Sequence, residues 1–311
     1  MKAATDKDRI ALRLKVDECS ARRGVVKDIG VEYPCRELDY HRKLGVPDGI
    51  PLGNMSSCRV GGLRLVSLRQ FNYTLSPGSA GCNFFSDFMH DRAYHFFLAD
   101  DDFRFVRKVE CDYESLYIME DIRLMSYGDT IQASGTDLSL GSGKHRMACL
   151  EFKFDGSRLS LVDKVVFPVL REKNYIPVEG GRGMFVSNIS AGEIKIVTSS
   201  DPSCKQTLGC KGIVQYRGST QLLRYGIGYA AMVHRRDRHN FFNAFAFFDK
   251  ALLQCRISSE FTVMKRESPV SFCCGMSIED GMAVLPFCIH DKTTYLFKLP
   301  LQDFLNTAKW R

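Results

Sequence analysis

The sequence predicts an all-β protein. Short apolar and aromatic runs are cut by turn residues, and long helical periodicity is absent after residue 60. Runs such as GLRLVSLRQFNY, AYHFFLAD, HRMACLEFKFDG, EIKIVTSS, FFNAFAFFD and TTYLFKL are rich in Phe, Tyr, Val, Ile and Thr. These residues suit a pleated, half-buried surface, and Gly or Asp-Gly between them marks the turns.

Residues 1–50 differ from the rest. They are charged, punctuated by Pro34, Pro47, Gly49 and Pro51, and weakly periodic. They read as a short N-terminal extension, with a helix expected near Ile10–Val16, ahead of one β domain over 51–311. Within that domain the segments with the most unusual polar residues begin near Asn54, Asp121, Lys173, Arg217 and Cys274. Their intervals, roughly 45–65 residues, lie near the repeat length of four-stranded propeller blades. Five blades would bring one polar-bearing inner strand each to a central channel. A sandwich and a barrel remain open on spacing alone.

Composition excludes several classes. The chain has 311 residues, 45% hydrophobic and 25% charged, as in an ordinary globular protein. No apolar run approaches the roughly 20 residues of a membrane span. The N-terminal MKAATDKDRIALRLKVDECSARRG has no apolar signal core, so a cytoplasmic location is expected. Twelve cysteines lie scattered in apolar segments such as SFCCGM and VLPFCIH, and reduced thiols are expected there. No CxxC or paired-His spacing suggests a metal. The net charge of +7 is dispersed, with a short knot at Arg235, Arg236 and Arg238. No recognition helix or like-charge run points to nucleic acid. An anionic small substrate suits this balance.

The strongest chemical signal is MEDIRL, Met119–Leu124, followed by SYGDTIQASGTDL. A Glu-Asp pair with Arg two residues on is a plausible acid beside a cation. A surface Asp paired with Arg is the plain alternative. The neighbouring motifs favour the acid. MEDIRL resembles the Glu-Asp-Pro-Arg motif of the inverting β-mannoside phosphorylase and hydrolase family, with Ile122 in place of proline. GNMSSCRVGGLRLVSLRQFNY resembles that family's opening blade through Asn54, Arg69 and Asn72. EKNYIPVE resembles its basic-Asn-aromatic element through Lys173, Asn174 and Glu179. YRGSTQLLRYGIGYAAMVH supplies Arg217 and His234, and CCGMSIEDGMAVLPFCIHDKTTYLFKL supplies Asp291. The match spans about residues 50–300. Within the family, RGSTQ, CCGM and the short chain most resemble the trypanosomatid β-1,2-mannan mannosyltransferase/phosphorylases.

The resemblance implies a five-bladed β-propeller that transfers mannose reversibly between mannose 1-phosphate and β-1,2-linked mannosides. Asp121 is then the general acid, acting through the 3-hydroxyl of the donor-side mannose. Asn54, Arg123 and Asp291 hold the sugar, and Arg69, Lys173, Asn174, Arg217 and His234 cage the phosphate. A phosphorylase needs one acid plus charged donors for a dianion, whereas an inverting hydrolase needs two carboxylates. Inorganic phosphate or mannose 1-phosphate is a substrate here, and no cofactor or metal is expected. The partners are sugars and oligosaccharides, without nucleic acid or membrane; oligomeric state is not readable.

The segments RQFNYTLSPGSAG, FVSNIS and FFNAFAFFD depart from the family pattern, which bears on acceptor choice. A GDP-mannose transferase, a β-mannoside hydrolase and a non-catalytic docking propeller are the competing classes.

Overall fold

The computed structural model describes residues 9–16, 27–75, 82–84, 93–112, 114–140, 144–170, 172–190, 192–201, 205–210, 216–237, 240–263 and 270–310. Almost all regular structure is β, as the apolar runs predict. The two α-helices among the described residues are short, His41–Leu44 and Leu301–Thr307.

The strands form antiparallel meanders. The first runs Leu52–Val60, Leu63–Gln70, Ala93–Ala99 and Phe105–Cys111. The second runs Met119–Tyr127, Thr130–Asp137, Arg146–Phe154 and Arg158–Val166. Their outer strands touch in parallel at Arg158 against Glu110, which merges the two into one eight-stranded sheet. The third runs Ile176–Pro177, Met184–Ser190, Gly192–Thr198 and Lys205–Cys210. The fourth opens on the short strands Arg217–Gly218 and Leu223–Tyr225. It continues through Gly228–Asp237 and Asn240–Phe248 to Cys255–Ile257 and Glu260–Val263. The fifth opens on Ser271–Cys273 and Ser277–Glu279, then runs Met282–Ile289 and Thr293–Pro300.

The strand Lys27–Leu38 completes the fifth meander by pairing with Thr293–Pro300, Cys35 opposite Phe297. Arg9–Val16 then pairs Lys27–Leu38 on one side and Glu260–Val263 on the other, welding the fourth and fifth meanders into one sheet. The helix expected near Ile10–Val16 is therefore a strand, and these segments belong to the sheet rather than standing outside it. RIALRLKV alternates Ile10, Leu12, Leu14, Val16, a two-residue period that fits a strand.

Each pair of neighbouring meanders shares a dry core. Leu65, Phe96 and Leu98 meet Leu124, Ala133 and Leu150 between the first and second. Met147 and Cys149 meet Phe185 and Val197 between second and third. Val186 and Ile194 meet Val233 and Ala244 next, and Met232 and Phe245 meet Leu285 and Phe287 after that. The series closes where Val66, Leu68 and Phe97 meet Val284 and Leu296. Large apolar side chains buried on both faces of a sheet contribute about 1.5–3 kcal/mol each, so every interface is strongly favoured. Cys149, Cys273 and Cys288 are free thiols packed in or beside these cores.

At the axis the first strands of the described meanders meet almost without a shared ladder, the exception being the third and fourth, where Glu179 N donates to Leu222 O and Leu222 N to Pro177 O, both at 2.9 Å. Side chains must therefore satisfy their backbone groups. Gln221, 1% exposed, does this for four meanders. Its Nε2 donates to Ser56 Oγ at 3.0 Å, Ser57 O at 3.1 Å and Leu124 O at 2.7 Å, and its Oε1 accepts from Met276 N at 3.0 Å. The result is a plug between two mouths of the axis, one lined by Arg69 and Asp121, the other by Arg64, Glu179 and Glu279.

Gln221→Glu keeps the shape of this plug and removes its donors, leaving two carbonyls facing a carboxylate. Stability should fall by about 2–4 kcal/mol. Urea denaturation checks this; a loss under 0.5 kcal/mol, an arbitrary floor near the usual scatter for surface changes, would mean that Gln221 is not a structural hub.

Candidate active site

One axial cavity of about 540 Å³ gathers residues from all five meanders. The first supplies Asn54 and Arg69, the second Asp121, the segment before Ile176–Pro177 supplies Lys173 and Asn174, the fourth Arg217 and His234, and the fifth Asp291. Of the residues expected at the site, only Arg123 lies outside its lining.

The backbone is bent locally to bring them there. Asn54, Asp121, Asn174 and Asp291 all have positive φ, at 48°, 55°, 64° and 51°. Left-handed backbone costs non-glycine residues energy and concentrates at working sites. Asn54 and Asp121 sit at register shifts, opposite Leu68 and Gly135 respectively, where two residues of the first strand face one of its partner. Such a bulge turns a side chain out of its pleat, here toward the axis. Gly135 is required opposite, since a Cβ there would lie 2.8 Å from the Glu120 carbonyl oxygen. Asp291 comes from the hairpin turn between Ile289 and Thr293, not from an inner strand.

Asp121 Oδ1 accepts from Asn54 Nδ2 at 2.8 Å and from Arg69 Nη1 at 3.4 Å. Both donors engage the same oxygen, Oδ1. Arg69 is 3% exposed, backed by the Phe71 ring at 4.8 Å. Its Nη2 reaches Glu120 Oε1 at 3.1 Å, and Glu120 Oε2 takes Lys173 Nζ at 3.3 Å. Arg69 and Lys173 are thus paired with carboxylates, not free cations. Burial raises the Asp291 carboxyl to about 6, against the pull of Arg69 and of the Tyr73 hydroxyl, which donates to Oδ2 at 2.9 Å.

Two expectations are corrected. Arg123, expected to hold sugar, is 0% exposed and lies beneath the site. It donates to Ser219 O at 2.7 Å, Asp121 O at 2.8 Å, Asn174 Oδ1 at 3.1 Å and Gly218 O at 3.2 Å. It braces the strained backbone of Asp121 and orients Asn174. His234, expected among the cations, is neutral. Burial, with Arg123 and Arg217 beside it, pushes its imidazole down to about 3. It bonds Ser219 Oγ through Nδ1 at 2.8 Å and stacks on Phe241 at 5.5 Å. Glu179, a motif position, lines the opposite mouth.

The cavity also holds residues not expected from the sequence: Tyr73, Glu120, Arg235, Arg236, Phe241 and Phe272. Arg235 is clamped by Glu260, with Nη2 to Oε2 at 2.6 Å. Arg236 lies 5.7 Å from the Phe241 ring. No carboxylate among the described residues pairs with Arg217 or Arg236. The cavity is therefore divided. Glu120, Asp121 and Asp291 outnumber Arg69 and Lys173, the cations grouped with them, whereas the fourth meander brings Arg217, Arg235 and Arg236 to the same lining. The signal for Arg235 and Arg236 was present as a basic knot directly after His234. Among the described residues no cluster of three or more His, Cys, Asp or Glu could hold a metal, and no helix is long and apolar enough to cross a membrane.

The low imidazole value gives a pH dependence. Below the unfolded value near 6.5 the unfolded chain takes up a proton that folded His234 refuses, so stability is complete above pH 6.5 and falls toward about pH 3. The slope contributed is about 1.4 kcal/mol per pH unit. His234→Gln should remove it. Chemical denaturation of both proteins between pH 4.5 and 7.5 checks this, and equal slopes would show that His234 is protonated in the fold.

No family model matches this chain, and no curated protein sequence matches it. Solved structures do. A β-1,2-mannobiose phosphorylase from Listeria innocua, solved with β-1,2-mannobiose, aligns with a TM-score of 0.59 at 13% identity, covering 88% of this chain and 98% of that one. A glycosyl hydrolase from Bacteroides ovatus gives 0.54 at 13% identity over 81% and 85%. A hypothetical protein from Leishmania major gives 0.53 at 14% identity over 82% and 87%. At these identities the likeness is one of fold: the chain is built like enzymes that work on sugars.

Proposed function

We propose that this protein is an inverting β-1,2-mannoside phosphorylase/mannosyltransferase of the cytosol, and that its five meanders are the blades of a five-bladed β-propeller. The observation that carries this reading is the divided cavity. A carboxylate, Asp121, stands among polar groups suited to a sugar, opposite arginines that no described carboxylate neutralises. An inverting hydrolase would place a second carboxylate where the water enters. Here the far wall is cationic, which suits an attacking phosphate.

In the phosphorolytic direction a phosphate oxygen attacks the anomeric carbon as the glycosidic bond breaks. The leaving oxygen takes a proton that originates on Asp121 and passes through the mannose 3-hydroxyl. Mannose 1-phosphate and the shortened mannoside result. Asn54 and Asp291 hold sugar hydroxyls, while Asn174, Arg217 and Arg236 hold phosphate, with neutral His234 as a hydrogen-bonding partner rather than a charge. Arg69 and Lys173 contribute through Glu120, as part of the wall between the two halves.

One observation favours a second reading. Arg236, Phe241 and Phe272 extend the basic wall beyond the reach of a single phosphate, and a nucleoside diphosphate donor such as GDP-mannose would use both the charge and the rings. Incubation with mannose plus mannose 1-phosphate, mannose plus GDP-mannose, and mannobiose with or without phosphate distinguishes the donors. Hydrolysis without phosphate would favour the hydrolase.

Asp121→Asn should lower turnover by about 10²–10⁴-fold while folding normally, because an amide keeps the shape and donates no catalytic proton. A variant with a tenth of the wild-type rate would move the acid elsewhere. Arg217→Ala should weaken phosphate binding by about 1.5–3 kcal/mol and leave mannobiose binding nearly unchanged. Calorimetric titration with each ligand reads the difference.

A further inference from the structure

Tyr73 comes from RQFNYTLSPGSAG, one of the stretches that depart from the family pattern. It follows the strand Leu63–Gln70 and opens the small hairpin of Tyr73–Leu75 with Cys82–Phe84. Its ring stands edge-on to Phe71 at 5.4 Å, and Phe71 in turn backs the Arg69 guanidinium. The phenol is therefore fixed from behind and presents its hydroxyl to Asp291 Oδ2 across the cavity, first meander to fifth.

Asp291 has a difficult electrostatic position. It faces Arg69 and Tyr73 of the first meander, Glu120 and Asp121 of the second, and the Cys288 thiol of its own. Two neighbouring carboxylates and burial oppose its ionisation, and only Arg69 and the Tyr73 hydroxyl favour it. Arg69 is shared with Glu120 and Asp121. The Tyr73 hydroxyl, by contrast, donates to Asp291 Oδ2 directly, at 2.9 Å. Burial and the Asp291 charge push the Tyr73 phenol well above its ordinary value, so it stays a donor at every working pH.

We infer that Tyr73 is the positioning residue of the sugar wall: it keeps Asp291 ionised, and so able to accept hydrogen bonds, at neutral pH. This rests on the proposed function only for the identity of the sugar. An ionised Asp291 accepts from two sugar hydroxyls, whereas a protonated one must spend an oxygen on its own proton. Tyr73 thereby sets the lowest pH at which the cavity binds its sugar.

The test is Tyr73→Phe, which keeps the ring packing and removes only the hydroxyl. Infrared titration of the carboxyl groups, taken as the difference between each protein and the same protein carrying Asp291→Asn, reads Asp291 without any substrate. The wild-type carboxyl should titrate near 6, and in Tyr73→Phe it should titrate about one pH unit higher, the size of a charge-assisted hydrogen bond. The KM for mannobiose should then rise about fivefold at pH 6 and return to within about twofold of wild type at pH 8.5, with kcat changed little. An unchanged Asp291 titration overturns the inference. So does a KM loss that is equal at pH 6 and 8.5, since that is what a purely structural role gives. A shifted titration in a protein that neither binds nor turns over mannosides upholds the Tyr73–Asp291 pairing and sinks the proposed function instead.

Discussion

The structure depends on one constraint: the innermost strands of the five meanders approach a common axis, and among the described residues they share almost no hydrogen-bonded ladder there beyond the short contact of Pro177 and Glu179 with Leu222. Their backbone groups would be buried and unpaired, at about 1–3 kcal/mol each, unless side chains reach across. Two residues do so at different depths. Gln221 joins the first, second, fourth and fifth meanders below the cavity floor, and Arg123 joins the second and fourth to Asn174 directly under it. The planar guanidinium, with donors in a fixed fork, can serve three carbonyls and an amide at once, which an ammonium could not. The shape of the site follows from these two buried polar groups as much as from the apolar cores.

That arrangement also accounts for the strained residues. Arg123 Nη1 bonds the carbonyl of Asp121, the residue held at φ 55°. A left-handed residue at a bulge has a misdirected carbonyl, and a buried guanidinium is a strong partner for it. Asn54 and Asp121 are a matched pair in this respect, both at bulges of first strands and bonded to each other at 2.8 Å. Strain in each strand is thus held by contacts made between strands, so the Asp121 carboxyl is aimed before any ligand arrives.

Much of this could be read from the residues and some could not. The β class was plain in the apolar runs, and motifs far apart in the chain were recognisable as polar islands in those runs. Asn54, Asp121, Lys173, Arg217 and Asp291 do converge on one cavity. The inward direction of Arg123 was hidden because the bulge at Asp121 adds a residue, and one added residue exchanges the two faces of the strand beyond it. The neutrality of His234 was hidden because it depends on burial and on Arg123 and Arg217, neither adjacent in sequence. Glu120 was legible as half of a pair with Asp121, but its hold on Arg69 and Lys173 is a matter of side-chain reach. The strand Arg9–Val16 is built from good helix formers such as Ala11, Leu12 and Lys15, and pairing with two neighbouring strands overrode that local preference.

The pairing of Lys27–Leu38 with Thr293–Pro300 has a kinetic meaning. The strand that completes the fifth meander is synthesised well before Thr293–Pro300 and must wait until that partner has left the ribosome. Contacts between such distant segments close a long loop, and folding rates fall as mean contact separation grows. Meanwhile the early strand carries an unpaired edge, a surface on which nascent β proteins associate wrongly. The chain thus exchanges fast, local assembly for a ring that no single meander can leave without opening the joint between its two ends.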